Sequence, residues 1–237
     1  MFIILVFGLT IGIGLALLQH NKQGYAEYWQ GRANIPGDFT LVVIGNSVAQ
    51  GIGASKPQNS FVGLLASYVA QTTQQSVRVV NLSRSGATTQ DALREQAPKL
   101  ANYPDADLVV LEIGANDMRG YNSDQFQRNY EQLLQDLPPG KSIVTDVPTF
   151  SGHPDLTRRA KAANQSLYRL ARQYHLPIAP IYETIGLKLA TTPWLWIDAS
   201  DLFHPNDRGY QLWLNAVRSI PGFDRYVNRD LDRNLKK

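Results

Sequence analysis

Five short apolar runs, Phe39–Gly45, Val77–Leu82, Leu108–Ile113, Ser142–Val147 and Pro177–Tyr182, alternate with segments whose apolar residues recur at helical spacing: Phe61–Thr72, Asp91–Leu100, Ser123–Leu137 and Leu156–Tyr174. A last helix is expected from about Asn206 to Val217. Runs of Val, Ile and Leu with no polar alternation belong to strands buried on both faces, so the helices between them must cover both faces of a parallel sheet. The pattern therefore predicts a three-layer α/β domain with right-handed crossovers. At 237 residues the chain has room for one such core and a short appendage.

The appendage is at the front. Residues 2–18, FIILVFGLTIGIGLALL, carry no charge, which is the short limit of a membrane span. No Lys or Arg precedes them, so they read better as an uncleaved anchor than as a cleaved signal. Residues 1–20 are thus expected to be a membrane anchor or signal segment, 21–37 a polar tether, and 38–237 the globular domain. Lys22 and Arg32 follow the span and pull weakly towards a cytoplasmic domain. The usual purpose of such a segment is export, so an extracytoplasmic domain is expected, or a secreted one if the segment is cleaved. The chain has no cysteine, which excludes disulfides and thiolate metal sites. Its net charge is only +3, and the cations are scattered except in Arg158–Lys161, which reads as the solvated face of a helix. Nucleic acid is not an expected partner.

In an open parallel sheet, ligands gather beyond the carboxyl ends of the strands. The first strand delivers Gly45-Asn46-Ser47 there, the second NLSRSGATT with Gly86, and the third EIGANDM with Asn116. Near the far end stands DLFHPNDRGY, in which Asp201 and His204 are three residues apart, within reach of each other across one turn. A carboxylate so placed can hold an imidazole in the tautomer that accepts a proton, and a serine needs such a base to act as a nucleophile. The backbone N–H groups of Ser47 and Gly86 and the side-chain amide of Asn116 are candidates to stabilise an oxyanion. Taken singly, Ser47 is equally a turn residue, Asn116-Asp117 a turn signal, and Asp201/His204 a capping pair. Neither a Rossmann fingerprint, a Walker lysine, a complete G-x-S-x-G elbow nor H-E-x-x-H is present.

The four blocks, GNSVAQG, SGATT, GAND and DLFHPN, resemble in order and spacing those of the SGNH (GDSL-type) hydrolases, from Leu41 to about Val217. The resemblance implies a flavodoxin-like sheet of five parallel strands and hydrolysis of esters or thioesters, with no metal or other cofactor. It implies Ser47 as nucleophile, His204 as base, Asp201 as its orienter, and Ser47, Gly86 and Asn116 as the oxyanion hole. Short acyl esters of lipids or saccharides are the implied substrates. The chain departs from the family at Asn46, where Asp is usual. Transfer of the acyl group to a glycan hydroxyl, or a silent binding module, are the alternative readings. His153, Trp194 and Trp196 are further candidates to border the substrate, against ordinary loop chemistry and packing.

Overall fold

The computed structural model describes residues 23–192 and 196–228. Five strands, β1 (Phe39–Gly45), β2 (Val77–Asn81), β3 (Leu108–Glu112), β4 (Ser142–Thr145) and β5 (Ile178–Ala179), form one sheet in the order β2-β1-β3-β4-β5. Every pairing is parallel. The continuous apolar runs explain this layering. Leu41 and Val43 of β1, with Leu108 and Val110 of β3, point into one core, whereas Val42, Ile44, Val109 and Leu111 point into the other. Successive side chains of a strand face opposite ways, so only a strand covered on both sides can be apolar at every position.

The first core is covered by α3 (Phe61–Thr73), α7 (Ile181–Thr191), α8 (Asp207–Arg218) and α9 (Phe223–Val227). The second is covered by α5 (Ser123–Gln135), α6 (Pro154–Gln173) and the irregular helical stretch 89–102. The chain reverses direction across the sheet between β1 and β3, and a crevice opens at such a switch point.

Three expectations are corrected. Residues 21–37, expected as a tether, are helical over 23–33, and this helix, α1, buries Tyr25 and Trp29 in the first core. Tyr25 donates its hydroxyl to the carbonyl of Ala54 at 2.6 Å, and Trp29 its indole N–H to that of Gln50 at 2.9 Å. The expected membrane anchor, and the location and membrane partner drawn from it, are not supported: among the described residues no helix is long and apolar enough to cross a membrane. Even the 20-residue α6 is amphipathic, with Arg158, Lys161 and Arg172 along it. Residues 1–22, on which that expectation rested, lie outside the described residues. The last apolar run forms a strand only over Ile178–Ala179, because Ile181 already opens α7 after Pro180.

The expected helix over Asp91–Leu100 is also broken, and for a reason that matters to the site. A single α turn, α4 (Thr89–Asp91), widens into a π turn over Ala92–Gln96 and tightens to 3-10 geometry from Ala97. The wide turn carries the Gln96 side chain to the end of β1. There it accepts from Gly45 N–H at 2.8 Å and donates to the Gly45 carbonyl at 3.0 Å.

Candidate active site

Ser47 is the first residue of α2 (Ser47–Gln50), a single turn that follows β1 directly. Asn46 caps that turn, its Oδ1 accepting from Val48 N–H at 2.8 Å. Beneath it lies Glu112, the last residue of β3 and 1% exposed. Its carboxyl accepts from Asn46 Nδ2 at 3.2 Å, from Asn46 N–H at 3.4 Å and from Ala49 N–H at 3.1 Å. Burial pushes this carboxyl up, and the three N–H donors pull against it, leaving it at about 8.

His204 arrives from the opposite end of the chain. The loop 197–206 folds back on itself, with Ala199 N–H on the His204 carbonyl at 2.7 Å and Asn206 N–H on the Ile197 carbonyl at 2.8 Å. Asp201 Oδ1 accepts from the backbone N–H of Phe203 at 3.1 Å and of His204 at 3.0 Å. Leu202 between them adopts φ 55. The loop docks against Gly53, where a Cβ would sit 2.4 Å from the Pro205 carbonyl oxygen and 3.0 Å from His204 Cβ. Only glycine allows that approach, and Gly53 also has φ +97.

The result is a line of hydrogen bonds. Asp201 Oδ2 lies 2.5 Å from His204 Nδ1, and His204 Nε2 lies 2.8 Å from Ser47 Oγ. Burial works to raise the Asp201 carboxyl, but bonds from the ring and backbone of His204 outweigh it and hold the group at about 2. An ionised carboxylate only accepts, so His204 carries its proton on Nδ1 and leaves Nε2 to accept from the serine hydroxyl.

The N–H groups around Ser47 divide sharply. Those of residues 46, 48, 49, 50 and 51 all have acceptors, whereas that of Ser47 has none among the described residues. The second loop repeats the pattern. Arg84 N–H is on the Gly45 carbonyl, Ser85 N–H on Gln50 Oε1 and Ala87 N–H on the Arg84 carbonyl, but Gly86 N–H has no acceptor there. Gly86 has φ +81, and a Cβ added to it would meet no atom within 4 Å, so the residue borders open space. Asn116 commits one amide hydrogen to the Ala87 carbonyl at 3.0 Å, which ties the third block to the second and leaves the other hydrogen without an acceptor among the described residues.

Two recesses meet at Ser47. One is an open groove of about 380 Å³ that includes Ser85, Gly86, Asn116, Arg119 and His204. The other is a recess of about 30 Å³ lined by Val48, Phe150, Ile185, Ile197, Phe203 and Trp213, among others. Phe203 separates them, stacked on Phe150 at 5.7 Å with the Arg119 guanidinium 5.2 Å from its ring centroid.

Ser47, Gly86, Asn116, Asp201 and His204 are therefore brought together. His153 lies at the edge, its exposed ring 6.3 Å from that of Phe203. Trp196 is 59% exposed and lines neither recess. Trp194 falls outside the described residues. Glu112 and Gln96 escaped sequence reasoning, because a Glu ending a strand and a Gln on a helix carry no motif; the one available signal was a charge closing an apolar run.

The GDSL-like Lipase/Acylhydrolase family model matches residues 43–212, which takes in all of these positions. The chain belongs to that family. It is 29% identical over 174 residues to the thioesterase 1/protease 1/lysophospholipase L1 of Escherichia coli (strain K12), a match covering 70% of this chain and 76% of that one. Among solved structures it resembles TesA at TM-score 0.62 and 26% identity, over 76% of this chain and 96% of the other. A lipase/acylhydrolase from Enterococcus faecalis shares the fold at TM-score 0.64 and 23% identity, over 76% and 93% of the two chains. Membership makes this GDSL-type protein a hydrolase of the esterase class.

Proposed function

We propose that the protein cleaves small carboxylic esters and thioesters through an acyl-enzyme on Ser47. The observation that carries this reading is the line Asp201–His204–Ser47, at 2.5 and 2.8 Å, ending beside N–H groups that have no acceptor among the described residues. Ser47 Oγ attacks the acyl carbon while its proton passes to His204 Nε2. The carbonyl oxygen becomes an oxyanion held by Ser47 N–H, Gly86 N–H and the second Asn116 amide hydrogen, donors worth ~3 kcal/mol each in such sites. His204 then gives its proton to the departing oxygen or sulfur. A water that loses a proton to His204 attacks the acyl carbon, and the acid leaves as Ser47 recovers its hydrogen. Asp201 stabilises the imidazolium at both stages. Every group in this scheme comes from the chain, which is the basis for reading it as metal-independent.

The recess behind Ser47 supports a short acyl group. At about 30 Å³ it takes two or so water-sized groups of ~10–15 Å³ each, and its walls are mostly apolar, with Thr149, Ser151 and Asp198 among the polar exceptions. The open groove suits a larger alcohol or thiol. Short-chain thioesters, the bond class that figures in the name of the Escherichia coli thioesterase relative, are the first natural substrate type to try.

The test is hydrolysis of p-nitrophenyl esters from acetyl to octanoyl by the full chain, with fluorophosphonate labelling followed to the modified residue. Turnover greatest at acetyl or propionyl, with label on Ser47, is the expected result. Label elsewhere, or turnover retained by Ser47→Ala, overturns the mechanism; a maximum at octanoyl overturns only the acyl assignment.

A further inference from the structure

We propose that Glu112 is a positioning residue for Ser47, acting through Asn46 as a directional donor–acceptor pair that takes the place of the Asp usual at that position. The inference rests on the acyl-enzyme reading above. Its basis is the set of hydrogens beneath the nucleophile turn. Asn46 is 0% exposed and Glu112 1% exposed, and both are enclosed by protein. Asn46 offers its side-chain amide and its backbone N–H, Ala49 offers another N–H, and Glu112 accepts all three. Asn46 Oδ1 is already committed to Val48 N–H. Among the described residues no Lys, Arg or His bonds Glu112, so its polar partners there are those N–H groups.

Together with the Asn46 Oδ1 bond to Val48 and the bonds closing the turn, this arrangement leaves Ser47 N–H as the one backbone donor of residues 46–51 without an acceptor among the described residues. It also ties the end of β1 to the end of β3, the two strands that carry Ser47 and Asn116 to the switch point. Above about pH 8, where Glu112 has lost its proton, Asp at position 46 would set two carboxylates together where an amide now donates at 3.2 Å. One of them would have to take a proton or push the turn away. Gln at position 112 would fail differently. With its oxygen kept under the two backbone N–H groups, its NH2 would face the NH2 of Asn46, donor against donor.

The two mismatches cancel when combined. In Asn46→Asp with Glu112→Gln, position 112 supplies the amide and position 46 the carboxylate, whose second oxygen still accepts from Val48 N–H. The pair runs in reverse with the same net charge. Coupling of this kind distinguishes a directional pair from two independent packing positions.

The experiment is a four-protein cycle, wild type, N46D, E112Q and the double variant, assayed on p-nitrophenyl acetate and by the rate of fluorophosphonate labelling at pH ~8.5, just above the value of about 8 to which burial raises Glu112. Each single variant should lose about tenfold or more in kcat with KM changed less than about twofold, and the double variant should return to within about threefold of wild type. A double variant as slow as the product of the two single losses overturns the proposal, as do single losses confined to KM. Should a single variant fold poorly, unfolding midpoints read the same coupling: a double variant no more stable than the weaker single one sinks it. Absence of turnover and labelling in wild type would instead count against the acyl-enzyme reading, so the two failures are told apart.

Discussion

The two halves of the site are held in place by different means. Ser47, Gly86 and Asn116 sit at the ends of three adjacent strands, and their loops are cross-tied by buried side chains, Glu112 and Gln96 from elsewhere in the chain and Gln50 from the Ser47 turn itself. Asp201 and His204 sit on a loop whose order comes from its own short-range bonds, one carboxylate capping two backbone N–H groups. In the sheet-borne half, long-range bonds leave certain N–H groups free. In the loop-borne half, local bonds aim a ring. A donor array must match an oxyanion from several directions, which takes several elements, whereas one imidazole needs a single orienter.

Removing chemistry from either half should cost most and should not reveal the difference. Ser47→Ala is expected to lower kcat by ~10⁴–10⁶, and Asp201→Asn by ~10⁴ through the wrong tautomer of His204. Comparable kcat for Asp201→Asn and wild type, by ester hydrolysis, would remove Asp201 from the mechanism. Next comes Asn116→Ala, which withdraws one oxyanion donor and should cost ~10²–10³ in kcat with KM nearly unchanged. A loss in KM alone would make Asn116 a substrate-binding residue instead.

Titration separates the halves in sign. Glu112 keeps its proton in the folded chain up to about 8, above the ordinary 4.5. The unfolded chain releases it earlier, so this group's stabilisation is complete below ~4.5 and is lost as pH rises towards 8. Asp146, raised to about 7 by burial, adds to the same slope. Asp201, held down at about 2 against an ordinary 3.8, does the opposite: its stabilisation is present above ~3.8 and lost as pH falls towards 2. Urea unfolding across pH should show Glu112→Gln flattening the alkaline slope and Asp201→Asn the acid one. Unchanged slopes in the variants would show that other groups dominate both limbs.

The smallest expected effect tests the seam between loop and helix. Asn206 caps α8, accepting from Arg208 and Gly209 N–H, while its amide donates to the carbonyls of Trp196 and Asp198. Asn206→Ala should lower stability by ~1–2 kcal/mol. Activity should fall with it, since the loop that aims His204 loses its anchor; full activity at reduced stability would show that the loop holds its shape unaided.

The layering was legible in the chain because burial on both faces forces a strand to be apolar at every position, and β1 matches its expected bounds, Phe39–Gly45. The four motif blocks were legible too, since each is a few residues long and its turn chemistry is local. The helix over 23–33 was not: its polar and aromatic residues read as a tether, and only a core waiting for Tyr25 and Trp29 makes it a packed element. Nor was the π turn that delivers Gln96, which exists because the end of β1, 51 residues away, offers it two bonds. In sequence Asn46 is only a departure from the Asp usual in the family. Tertiary structure alone puts a buried carboxyl beneath it, because the meaning of a polar side chain lies in the partner it meets, and that partner comes from another strand. By itself the sequence determined the sheet, its order of delivery and the residues brought to its rim; which hydrogens are left free there was decided by the fold.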